Sequence, residues 1–412
     1  MLRNMLPGLT IALALASAGP AAADPVSVLF VGNSYTFGRV DPVMSYNAAN
    51  VRDLTYPMWL ANPTGSNAFE PHPWGGVAGI FKQFTVQAGL DYDVALSTRN
   101  AASLRGHHLN TNGVWDLRSN IASQTWSKVV LQEQSDEPLT RRPGLASSPP
   151  WFQNYADKIE DFVHMGTAES YRERDFFPGL TAADRTAACV AATGATAGTC
   201  NTLRNIPANP NASASTEMYL YQTWARPNLV DGAFVTTTDP VTGAVTRTTT
   251  PATTYFGNLE AMTGELATAY DTAAASAGTD GTGGFEGVAP VGEAFMSAVL
   301  DGIATRDMWG SGAATDGLID LWFDDGTHAS KYGSYLAALT LFGQLTGLNP
   351  YDLGPGEIAA RDLGISPTDA RALQRIAALQ LGLPAPEPAS WALVGLALAG
   401  LARVRSSRPA RR

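Results

Sequence analysis

The chain has 412 residues, with 27 Lys and Arg against 37 Asp and Glu, a formal charge of −10. Its 45% hydrophobic and 16% charged residues can fill a core, which excludes wholesale disorder. Setting aside the six arginines at the chain ends (Arg3, Arg403, Arg405, Arg408, Arg411 and Arg412), 21 basic residues face 37 acidic ones, a balance of −16 that argues against nucleic acid and anionic lipid as partners.

Residues 1–23 read as a secretory leader: Arg3 is the charged start, Leu9 to Ala16 the apolar stretch, and Ala21-Ala22-Ala23 the small residues of a cleavage site. The body is then predicted over 24–345. Val26 to Val31 is a buried strand ending at Gly32, and a helix is expected within 42–62, up to Asn62-Pro63. Strands follow at Asp93–Ser97 and Lys128–Gln132. Phe152, Tyr155, Ile159 and Phe162 recur at steps of three and four, so 152–165 is a helix. Glu217–Trp224 is a further strand, Asn258–Ala275 a helix, and Val288–Phe295 a strand running into a helix. Lys331–Leu345 closes the body as an apolar helix. Alternating strands and helices imply a parallel sheet with helices on both faces.

Two stretches interrupt that rhythm. Residues 181–215 are rich in Ala, Thr, Asn and Gly, and 233–256 are rich in Thr and Val with turn signals, as in a β-hairpin flap. Both read as insertions. Residues 346–383 read as a small helical appendix and linker, with turns or helix starts at Asn349-Pro350 and Ser366-Pro367. The two cysteines, Cys189 and Cys200, fall in the first insertion. In an exported chain they are expected to form a disulfide, and they give no metal-site spacing.

The chemistry centres on Gly32-Asn33-Ser34. A buried strand ending in Gly-x-Ser presents a hydroxyl at the carboxyl end of a parallel sheet, where such sheets place ligands. A serine nucleophile needs a base. Of the five histidines, His328 has a carboxylate at a matching short offset, in Asp325-Gly-Thr-His328. Asp325 can bond Nδ1–H and leave Nε2 to take the Ser34 proton.

A Gly-x-Ser on the first strand paired with Asp-x-x-His near the end of the domain resembles the SGNH, or GDSL-like, hydrolases. Asp325 to Ala338 is similar to that family's last block. Gly-Asn-Ser with Val-Val-Leu-Gln-Glu-Gln-Ser at 129–135 resembles an uncharacterised branch of the superfamily. The resemblance implies a three-layer α/β/α, flavodoxin-like fold. It also implies Ser34 as nucleophile, His328 as base and then acid, and Asp325 as its orienter. It implies an oxyanion hole from the N–H groups of Ser34 and Ala101 and the side-chain amide of Gln134, with Gln132 a rival and Gly75-Gly76 an alternative backbone donor. Neither cofactor nor metal is required. The function implied is an exported serine esterase removing O-acyl or O-acetyl groups, on extracellular carbohydrate. The alternative is a catalytically degenerate surface protein that binds exopolysaccharide.

Residues 384–412 combine Pro386-Glu387-Pro388, an apolar run from Trp391 to Ala402 and five arginines. This resembles the PEP-CTERM sorting signal of Gram-negative bacteria. It implies transient insertion in the inner membrane, an exosortase as partner, and final residence in the periplasm, at the outer surface or in the extracellular matrix. Other residues carry less. His107-His108, taken as strand neighbours, point to opposite faces, so a surface turn or substrate rim is favoured over a metal pair. Glu133 reads as solvated or structural, and Trp59, Trp74 and Trp224 are candidate sugar platforms.

Overall fold

The structure is a computed structural model. It describes residues 24–385, except 40, 112, 232–234, 239–241, 243–244, 249–253 and 311. The expected leader and the apolar, arginine-ended tail lie outside the described residues.

The strands are β1 (Val26–Gly32), β2 (Arg52–Asp53), β3 (Tyr92–Thr98), β4 (Lys128–Leu131), β5 (Glu169–Arg172), β6 (Leu203–Ile206), β7 (Glu217–Tyr221), β8 (Val235–Thr238), β9 (Val245–Thr248) and β10 (Gly287–Ala289). Six of them form one parallel sheet in the order β10-β7-β4-β1-β3-β2. Without the two-residue edge strand β2, this is the 2-1-3-4-5 order of flavodoxin-like folds. β1 lies at the centre, which explains its unbroken apolar run: Val28, Leu29 and Phe30 are fully buried.

The helices Gly76–Gln87 and Lys331–Thr346 pack on each other, and Pro149–His164 packs on Leu104–Leu109 and Leu259–Ala277. The first pair includes the connection from β1 to β3. The second group lies in the connections from β3 to β4, β4 to β7 and β7 to β10. Right-handed crossovers running in opposite directions from β1 put these two groups on opposite faces. The result is the expected three-layer α/β fold.

The expected helix within 42–62 is corrected. The segment holds turns, a 3₁₀ turn at Ala48–Asn50, β2 and a short helix at Tyr56–Ala61. Asn47 takes φ 55°, and Asp53 accepts from the N–H groups of Thr55 and Tyr56 at 3.0 and 3.2 Å, which starts the helix late. Helix Gly76–Gln87 was not anticipated. Gly76 lets its start pass close to Phe37, and Gly75 just before it and Gly79 within it pass close to Tyr46, where a Cβ has no room.

The segment 233–256 contains the antiparallel pair β8 and β9. In the other insertion, β5 and β6 pair antiparallel, and helices Ala182–Thr193 and Ala197–Asn201 are joined by a Cys189–Cys200 disulfide. Phe177 and the two cysteines form a small cluster of their own. Helix Pro367–Gln380 packs on Lys331–Thr346, and its Leu373, Ile376 and Ala377 belong to the main core. Among the described residues no helix is long and apolar enough to cross a membrane.

Candidate active site

Gly32 ends β1 where a side chain would strike Thr36 Oγ1 at 2.4 Å and Gln132 Oε1 at 2.5 Å. The chain then turns into the four-residue helix Ser34–Phe37. Asn33 holds the turn in both directions. Its Oδ1 accepts from Tyr35 N–H at 3.1 Å, and its Nδ2 donates to the Ala102 carbonyl at 3.0 Å. Gln132, fully buried beyond β4, accepts from Asn33 N–H at 3.0 Å and Thr36 Oγ1 at 2.9 Å. Behind the turn, buried His107 donates from Nε2 to the Gly32 carbonyl at 2.9 Å. Burial pushes its pKa down to about 4, so the imidazole is neutral.

This frame delivers Ser34 to the far end of the chain. Ser34 Oγ lies 3.0 Å from His328 Nε2, and His328 Nδ1 lies 2.6 Å from Asp325 Oδ2. The other Asp325 oxygen accepts from the N–H groups of Thr327 at 2.8 Å and His328 at 2.9 Å. Burial raises the Asp325 pKa, but the hydrogen bond and charge of His328 with the two N–H donors outweigh it and leave it below the ordinary aspartate value. The carboxylate is therefore ionised at neutral pH.

The histidine turn is braced from below. Tyr35 Oη and Trp224 Nε1 both donate to the Thr327 carbonyl, at 2.7 and 3.0 Å, and their rings stack at 4.1 Å. Trp224 is thus a buried brace, not a sugar platform. Trp74, also buried, stacks on Phe37 at 3.6 Å. Trp59 is half-buried with its N–H on the Asn67 carbonyl. Arg226, absent from the sequence reading, joins two loops: it donates to Ser135 Oγ at 2.9 Å, pairs with Asp136, and reaches Thr327 Oγ1 at 3.4 Å.

The rival oxyanion donors separate. Gln132 spends its amide on the Glu133 carbonyl. The N–H groups of Gly75 and Gly76 donate to the Met44 and Val43 carbonyls at 2.9 and 3.1 Å. Neither alternative is free to act. Gln134 Oε1 caps the turn by accepting from Asp136 N–H at 2.8 Å, while its Nε2 has no acceptor among the described residues. The Asn100 N–H donates to Glu70 at 3.2 Å. Ala101 adopts φ 54°, the left-handed region that a glycine takes without strain, and its N–H and that of Ser34 have no acceptor among the described residues.

Glu133 is buried, and one of its oxygens accepts from both Leu104 N–H at 2.9 Å and Gln134 N–H at 2.6 Å. It ties the loop of Ala101 to the loop of Gln134. Burial and the neighbouring Glu137 push its pKa well up. His107 and His108 are corrected: they lie on helix Leu104–Leu109, not a strand, and both are fully buried, not on a rim. Asp157, Glu160 and Asp280 bring carboxylate oxygens within 4.8 Å of one another. Glu160 there already serves His164, Thr282 and the Gly284 N–H.

No family model matches the chain, and no curated protein matches it. Solved structures similar to it include a putative SGNH hydrolase from Slackia heliotrinireducens, at 16% identity and TM-score 0.35, covering 78% of this chain and 100% of that one. A DUF4886 family protein from Bacteroides uniformis is similar at 14% identity and TM-score 0.41, over 89% of this chain and 99% of that one. A lipase/acylhydrolase from Enterococcus faecalis is similar at 10% identity and TM-score 0.35, over 78% and 95%.

Proposed function

We propose that the protein is a serine esterase that removes short O-acyl groups, acetyl above all, from extracellular carbohydrate. The observation that carries this reading is the unbroken run from Asp325 through His328 to Ser34, with contacts of 2.6 and 3.0 Å. A serine hydroxyl is hardly ionised at neutral pH, so it attacks only as its proton leaves. His328 Nε2 accepts that proton while Asp325 holds the tautomer and stabilises the imidazolium. Ser34 Oγ bonds to the ester carbonyl carbon, and the negative charge moves to the carbonyl oxygen. The N–H groups of Ser34 and Ala101 and the amide of Gln134 are the donors assigned to that oxygen. The tetrahedral adduct expels the alcohol, which takes the proton from His328. Water, deprotonated by the same nitrogen, then cleaves the acyl-serine.

The export expected from the sequence supports the carbohydrate half of the reading. The expected leader and sorting tail would carry the body to where exopolysaccharide accumulates, and the Cys189–Cys200 disulfide suits an oxidising compartment. The test is a fluorophosphonate probe followed by an ester panel. Wild type should be labelled covalently and Ser34→Ala should not, and acetyl esters should outrun long-chain esters. Folded wild type that resists the probe would reject the esterase. Preference for long acyl chains would reject the carbohydrate substrate.

A further inference from the structure

Beside the proposed oxyanion loop lies an open cleft of about 500 Å³, lined in part by Arg99, Asn100, Ala101, Ser103, Thr111 and Gly113. Arg99 follows directly on β3, and its own N–H donates to the Gly32 carbonyl at 3.3 Å, two residues before Ser34. The guanidinium therefore starts from the same sheet edge as the nucleophile. It is held in place by uncharged partners: it lies 4.3 Å from the centre of the Trp115 ring, and Nη2 donates to Asn67 Oδ1 at 3.1 Å. Nη1 is buried and has no acceptor among the described residues.

No carboxylate among the described residues comes within 4.0 Å of this guanidinium. The nearby acid, Glu70, is buried and has Oε2 engaged by the Asn100 N–H. Burial raises the Glu70 pKa, while the Asn100 N–H and the charges of Arg99, His72 and Arg39 act the other way. A half-buried arginine, stacked and oriented but without a salt-bridge partner, is unusual in a chain with ten more acidic than basic residues. Its planar fork suits a carboxylate.

We propose that Arg99 is a specificity residue that binds a carboxylate on the alcohol side of the ester, so that the preferred substrate is an acylated acidic sugar, a uronate. This rests on the esterase reading and names its substrate class. The acyl side is the short one, so the charge belongs to the sugar. The acidic surface as a whole repels such a substrate, and the local guanidinium offsets this where the ester docks.

The test compares two acetyl esters that differ by one carboxylate, phenyl acetate and 3-acetoxybenzoate. Arg99→Gln should raise KM for 3-acetoxybenzoate about tenfold or more, the order expected for one charge-assisted hydrogen bond, and leave KM for phenyl acetate within about twofold. Arg99→Lys should fall between. Equal effects on both esters, or none on either, would overturn the assignment. Should Arg99→Gln not fold, wild type answers alone: added salt should raise KM for the charged ester and not for the neutral one, and an equal response would overturn the proposal. Calorimetry on Ser34→Ala separates this proposal from the esterase reading. Glucuronate should bind more tightly than glucose, and the double variant with Arg99→Gln should lose that difference. Wild type inert toward both esters while Ser34→Ala prefers glucuronate would reject the esterase and keep the anion site. Hydrolysis with no such preference would do the reverse.

Discussion

Two Asp–His pairs, each with a buried carboxylate, stand on the carboxyl side of the same sheet, and they are built alike. In one, Asp325 accepts His328 Nδ1 at 2.6 Å and the N–H groups of Thr327 and His328. In the other, Asp53 accepts His72 Nδ1 at 2.5 Å and the N–H groups of Thr55, Tyr56 and Trp74. They differ at the second ring nitrogen. His328 Nε2 meets Ser34 Oγ, and its side chain keeps 17% of its surface exposed. His72 Nε2 is buried without a partner among the described residues, its ring lies 3.5 Å from that of Trp74, and its side chain is wholly covered. A carboxylate-oriented imidazole is thus a common way to knit loops together. What makes one of them a candidate base is an accessible hydroxyl on the free nitrogen.

The strongest way to break this comparison is to remove the feature that separates the pairs. Ser34→Ala, and equally Asp325→Asn, should lower kcat about 10⁴-fold with folding intact; purified variants assayed on acetyl esters check this, and a loss under tenfold would place His328 with His72 as structural. Next, Gln134→Ala should lower kcat by about 10²–10³-fold with KM little changed, as when one oxyanion donor is lost. Gln132→Glu is a different probe of the same corner: it keeps the acceptors for Asn33 and Thr36, so equal losses in the two variants would undo the division of labour between them.

The converse experiment acts on the sealed pair. Asp53→Asn should destabilise the fold by about 3 kcal/mol, because the amide sets its own N–H donors against groups that donate to the buried carboxylate. Turnover per folded molecule should stay within about threefold, by chemical denaturation and active-site titration. A collapse of turnover in stable protein would make the two pairs functional equals.

The smallest effect is a pH slope. Burial lifts the Glu137 pKa to about 7, above that of an unfolded glutamate near 4.3. Between these values the folded chain holds a proton that the unfolded chain has released. Stability must therefore fall as pH rises through that window. The melting temperature of Glu137→Gln should decline less over pH 4.5–7 than that of wild type, and parallel curves would show that Glu137 is not the group responsible.

How much was legible depends on how far apart the cooperating residues lie. β1, β3, β4 and β7, the helices Pro149–His164, Leu259–Ala277 and Lys331–Thr346, and the turn from Asp325 to His328 announce themselves through local periodicity or spacing, because neighbours in the chain share one environment. The burial of His107 and His108 was not legible. A six-residue helix packed on both sides looks, in sequence, like a polar turn. Asp53 was missed because three of its partners are backbone N–H groups, which carry no residue signature.

The chain order alone therefore determined the α/β alternation, the Gly-Asn-Ser turn and the Asp-x-x-His pair, since each rests on side chains a few bonds apart. Tertiary structure decided which glutamine could serve as a donor, which tryptophans were braces, and that Arg99 lines a cleft with no carboxylate in ion-pair reach among the described residues. Those outcomes turn on where long-range hydrogen bonds are spent. A side chain's free valence is a property of its neighbours in space, and neighbours in space are set by the crossovers of the sheet.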